Sequence, residues 1–102
     1  LYLAFNSNQT VPLIKAVVNF WGALEDVSVI KTGKNLPAVL TYHGDTDNLI
    51  HVNFAEVLHK HLKEIGDTLS ILKIMEGKGH AQYTYISKYK IGEIIDFLNK
   101  VL

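Results

Sequence analysis

A chain of 102 residues whose ten basic side chains balance ten acidic ones has no net charge to draw it to nucleic acid or an anionic membrane. With 48% hydrophobic and 20% charged residues it reads as a globular domain or a piece of one, not as a disordered segment. No apolar run nears the ~18 residues of a membrane span, and the absence of cysteine excludes a disulfide framework and a thiolate metal site while leaving the compartment open.

The first residues, Leu-Tyr-Leu-Ala-Phe, carry neither an initiator Met nor the basic-then-apolar pattern of a signal peptide. They are expected to close a helix begun upstream, with residues 6–10 as a polar loop. Asn8 heads a glycosylation triplet, a pattern short enough to arise by chance. Residues 15–20 (Lys-Ala-Val-Val-Asn-Phe) are β-branched and apolar and predict a strand that runs into a loop at Trp21 to Asp26. Gly33 and Asn35 mark a turn. Pro37 stands where a missing donor costs a strand little, and Ala38-Val39-Leu40-Thr41-Tyr42 follows as the second strand.

The spacing of Phe54, Leu58, His61, Leu62 and Ile65 predicts a helix over residues 53–65, with Asn53 as N-cap, Glu56 completing a capping box and Gly66 as the left-handed terminator. Residues 69–75 predict a third strand. Ile91, Ile94, Ile95, Leu98, Val101 and Leu102 form the stripe of a final helix over residues 88–102, interrupted by Gly92. Strands alternating with helices, the strands near-continuously apolar, predict an α/β fold: a mostly parallel sheet covered on both faces in three layers, α/β/α. Three parallel strands leave an exposed edge. Further strands are therefore expected beside residues 15–20, from more of the chain or from a second copy, and without them self-association through that edge is expected.

In an open α/β sheet, ligands gather beyond the carboxyl ends of the strands. Two such ends carry chemistry. One is Tyr42-His43-Gly44-Asp45-Thr46-Asp47. The other is Glu76-Gly77-Lys78-Gly79-His80, in which the glycines permit a tight turn that brings His80 back over the sheet. A carboxylate at Asp47 touching the His80 ring would make two thirds of a nucleophilic triad, with the carboxylate fixing the tautomer that accepts a hydroxyl proton.

The run Pro37 to Ile50, Pro-Ala-Val-Leu-Thr-Tyr-His-Gly-Asp-Thr-Asp-Asn-Leu-Ile, resembles the acid-loop motif of the α/β-hydrolase family, and Gly77-Lys78-Gly79-His80 resembles its histidine loop. The intervening helix and strand and the closing Ile94-Ile95-Asp96-Phe97-Leu98 are similar to the family's final elements. The resemblance runs from about residue 15 to the end. It implies that residues 1–102 are a single partial domain, the C-terminal half of an α/β-hydrolase fold. It further implies Asp47 as triad acid and His80 as general base, acting without a cofactor on small esters or peptides as esterases, lipases and oligopeptidase-like hydrolases do. The chain departs from the pattern at His51, where proline is common in the family. It also lacks the G-x-S-x-G nucleophile elbow: none of Ser7, Ser28, Ser70 and Ser87 has the flanking glycines. The elbow and the oxyanion donors are then expected upstream of Leu1.

Other readings of the same residues stand beside these. Asp47 could only stabilise a turn, and Asp45 is expected to do so. His80 could be a surface loop residue, His43 a packing residue, and Glu25 and Asp26 loop residues. His59 and His61 lie two apart on a helix and do not share a face, which disfavours metal binding; one is expected to be exposed, the other partly packed. Trp21 and Tyr83 could line an acyl pocket, with burial against a helix the plainer use. For function, the alternatives to a serine hydrolase are a non-catalytic hydrolase-like scaffold and a magnesium-dependent phosphatase using Asp45 and Asp47.

Overall fold

The computed structural model describes residues 15–22, 37–66 and 69–102. The expected helix end at residues 1–5, the polar loop at 6–10, Glu25 and Asp26, and the turn at 32–36 lie outside the described residues. Three strands, β1 (Ala16–Phe20), β2 (Ala38–Gly44) and β3 (Ile71–Met75), form a parallel sheet in the order β1-β2-β3. Helix α1 (Val52–Glu64) connects β2 to β3, and α2 (Tyr83–Tyr89) and α3 (Ile91–Val101) follow β3. Among these residues no helix is long and apolar enough to cross a membrane.

The apolar run of β2 is buried at every position because it is the middle strand and has a helix layer on each side. Successive side chains point to opposite faces. Ala38, Leu40 and Tyr42 join Trp21, Met75, Ile86, Ile94 and Phe97 in one cluster, roofed by α2 and α3. Val39, Thr41 and His43 alternate with them, toward the layer where α1, packed on β2 and β3, buries Ala55, Leu58 and Leu62. Two polar pairs lie within the sheet. Ser70 Oγ accepts the Val39 N–H at 2.8 Å, and Asn19 Nδ2 donates to Thr41 Oγ1 at 3.4 Å. On the α3 face, Tyr42 donates its hydroxyl to Glu93 Oε1 at 2.8 Å, tying the acid-bearing strand to the last helix. Burial, together with the neighbouring Glu93 carboxylate, pushes the Tyr42 phenol far above its ordinary value.

The register sets the site. Gly44 pairs with Met75, so the loops after β2 and β3 leave the sheet at one level. Phe20 pairs with Tyr42, so β1 ends two residues lower and Trp21 emerges beside them.

Two helix boundaries differ from expectation. The N-cap of α1 is His51, not Asn53: the His51 ring Nδ1 accepts the Asn53 N–H at 3.1 Å. An imidazole here does what Ser, Thr, Asp or Asn usually do at a helix start, which is why the residue pattern pointed two positions too far. Gly66 does close the helix at φ 103°, donating its N–H to the Lys63 carbonyl. The final helix is two helices, broken at Lys90. The first of these, rich in Tyr and Thr, lacks an apolar period. The buried residues of α3 are Ile94 and Phe97, with Leu98 and Val101 beside them, whereas Ile91, Ile95 and Leu102 are exposed.

Candidate active site

Asp47 stands three residues beyond β2 and is 3% exposed. Its Oδ1 accepts the Leu49 N–H at 2.8 Å and the Ile50 N–H at 2.9 Å, an Asx turn that points the second oxygen back across the sheet. That oxygen, Oδ2, meets His80 Nδ1 at 2.7 Å. The loops carrying Asp47 and His80 are thus in direct side-chain contact across neighbouring strand tips. Burial works to raise the Asp47 carboxyl. The Ile50 N–H, the His80 ring and the Leu49 N–H outweigh it and hold the group below its ordinary value of 3.8. Asp47 is therefore a charged acceptor at neutral pH, and an ionised acceptor requires the proton on His80 Nδ1. Nε2 is then left as the basic nitrogen of a ring that is 27% exposed.

The two loops are also joined through their backbones. Thr46 donates to the Lys78 carbonyl at 3.0 Å, and both Asp45 and Lys78 donate to the Met75 carbonyl at 3.3 Å. A Cβ on Gly44 would sit 2.1 Å from the Lys78 carbonyl oxygen, so only glycine allows this approach. Asp45 is more than a local turn residue: its Oδ1 accepts the Gly77 N–H at 2.8 Å, where Gly77 turns at φ 71°.

His43 packs as expected and also holds the acid loop. The ring is fully buried, donates from Nε2 to the Ile50 carbonyl at 2.6 Å, and holds that nitrogen 3.4 Å from Asp47 Oδ2. It backs the acid loop from beneath, with its Nδ1 buried and unpartnered. The available signal was its place as the penultimate residue of a fully buried strand. His59 and His61 are both half-buried on α1, where one exposed and one packed were expected. Among the described residues no group of three His, Cys, Asp or Glu side chains could hold a metal ion.

Trp21 closes the site on the β1 side. It is buried, with φ 47°, and its N–H donates to the Tyr42 carbonyl at 2.8 Å. Its ring meets His80 edge-on at 5.9 Å and Tyr83 at 5.0 Å between centroids.

The dienelactone hydrolase family matches residues 2–90. The crystal structure of esterase PE8 is similar, with a TM-score of 0.66 and 28% identity over 89% of this chain. The chain covers 40% of that structure's length. No curated protein matches.

Proposed function

Since the chain belongs to the dienelactone hydrolase family, within the α/β-hydrolases, we propose that it supplies the acid and the base of an ester-hydrolysing triad, Asp47 and His80. The observation that carries the reading is the 2.7 Å contact between Asp47 Oδ2 and His80 Nδ1, made by a buried carboxylate whose other oxygen is held by two backbone N–H groups. The similarity to an esterase supports carboxylic esters as substrates.

The proposed chemistry runs in two halves. His80 Nε2 takes the proton of a serine hydroxyl as that oxygen attacks the ester carbonyl carbon, and Asp47 stabilises the imidazolium. The tetrahedral intermediate collapses, the carbonyl–oxygen bond breaks, and His80 returns the proton to the leaving alcohol. Water then repeats the sequence on the acyl-enzyme and releases the carboxylic acid. The sequence contains no cysteine and no G-x-S-x-G elbow. Within the described residues Ser70 Oγ is engaged by Val39 and Ser87 Oγ by Thr84. The serine and the oxyanion donors are therefore assigned to segments outside these 102 residues, which form the C-terminal half of the hydrolase domain.

Labelling of the nucleophile-bearing protein by a fluorophosphonate probe tests this. Labelling that His80→Ala reduces at least a hundredfold is expected. A folded protein that takes up no label would leave the alternative reading, a hydrolase fold without catalysis, which the missing elbow favours.

A further inference from the structure

Beside His80 lies a cleft of about 370 Å³ that the proposed chemistry does not use. Among the described residues its walls are Phe20, Trp21, Tyr83, Thr84, Ile86, Ser87 and Ile91, none of them charged. The size falls within the usual range for small-molecule pockets, roughly 300–1,000 Å³. The wall nearest the candidate base is the Trp21 ring, in edge contact with His80 on one side and with Tyr83 on the other. That wall is held firmly: Trp21 is buried in a left-handed backbone conformation that bulky residues seldom adopt, pinned by its own N–H on Tyr42 and by the Gly22 N–H on Asn19 Oδ1 at 3.1 Å.

We infer that this cleft is the subsite for the alcohol-side group of the ester, and that the group it takes is an uncharged aryl or compact alkyl moiety. The inference rests on the hydrolase reading for its orientation. The base that protonates the leaving oxygen must lie within hydrogen-bond reach of it, so the group carried on that oxygen falls against the neighbour of His80, which is Trp21. The chemical class follows from the walls. Aromatic and aliphatic surfaces favour an apolar group, an aryl ring can pack against the joined Trp21 and Tyr83 rings, and an anionic substituent would lose its hydration with no cation among the described walls to meet it. The Tyr83, Thr84 and Ser87 side chains bring hydroxyls to the described walls that can orient an ether or hydroxyl substituent.

Trp21 is the one tryptophan of the chain, so its fluorescence reports on this wall of the cleft. The 102-residue chain, first verified as folded by circular dichroism and diluted until light scattering gives a monomer, is titrated with phenyl acetate and, separately, with benzoate. A saturable change with phenyl acetate is expected, with benzoate binding at least tenfold more weakly. Ser87→Phe, an exposed position on α2 whose new ring fills the cleft, is expected to raise the phenyl acetate Kd at least tenfold. If circular dichroism shows that variant unfolded, Tyr83→Ala, also at an exposed position, is read against the same tenfold criterion. No saturable change, equal affinity for benzoate, or an unaltered Kd in the variant overturns the subsite. The two readings fail separately. A chain that binds phenyl acetate while the nucleophile-bearing protein takes no fluorophosphonate sinks the hydrolase function. A labelled protein whose C-terminal chain ignores phenyl acetate sinks the subsite.

Discussion

Replacing Asp47 by asparagine changes one atom and one charge, and its consequences follow from the contacts of each oxygen. If the amide keeps its oxygen toward Leu49 and Ile50, both N–H groups remain satisfied and the NH₂ faces His80 Nδ1 across 2.7 Å. It also faces His43 Nε2 across 3.4 Å. If the amide flips, the NH₂ opposes two backbone donors, which unlike the His80 ring cannot shift their protons. The first orientation loses fewer bonds, so the substituted side chain presents a donor to His80. The ring then moves its proton to Nε2 and offers Nδ1 as acceptor, which removes the basic nitrogen from the substrate side. In a serine protease that wrong tautomer lowers kcat by roughly 10⁴, about 5.5 kcal/mol of barrier. A loss of about 10³–10⁴ in kcat is expected here. Stability should fall by only about 1 kcal/mol, since a charge-assisted hydrogen bond is replaced by a neutral one rather than lost. Kinetics of the nucleophile-bearing protein with p-nitrophenyl acetate measure the first effect. ¹⁵N NMR of the imidazole in the 102-residue chain reads the tautomer directly. A variant that keeps more than a tenth of the wild-type rate, or whose His80 stays protonated at Nδ1, refutes the argument.

Gly44→Ala forces a Cβ into the Lys78 carbonyl oxygen and should separate the two loops; the expected cost is about 3 kcal/mol or more, with loss of the His80–Asp47 signature by NMR. His51→Ala should destabilise by about 1 kcal/mol through loss of the α1 cap, and Asn53→Ala by much less; chemical denaturation that reverses this order refutes the capping assignment. Acidification has a defined sign. Asp47 and Glu93 are both held below their ordinary values of 3.8 and 4.5, Glu93 chiefly by the Tyr42 hydroxyl. Their contribution is complete above about pH 4.5 and is lost as pH falls through the depressed folded values. Urea midpoints should be flat from about pH 5 to 7 and drop below about pH 4, less steeply in Asp47→Asn. The 102-residue chain is expected to hydrolyse p-nitrophenyl acetate negligibly and to self-associate through the β1 edge; a monomer by light scattering removes the second expectation.

The pattern of residues carries the parallel α/β/α arrangement because period and punctuation are local properties. β-branched and apolar runs mark the strands, and an i, i+4, i+8 stripe with a glycine after it marks α1. The encounter of Asp47 with His80 was also legible, since each follows a buried strand and strands of a parallel sheet deliver their carboxyl ends to one side. The rest depended on register and distance, which no window of residues contains. His43 lies against the acid loop because β2 is two residues longer than its apolar core suggests. Asp45 reaches Gly77 because Gly44 pairs with Met75 and the loops rise together. The buried face of α3 settles on Ile94 and Phe97 because the break at Lys90 sets the helix's rotation against the sheet. Local chemistry chose the elements and the two groups that meet; only packing across the sheet determined what surrounds them.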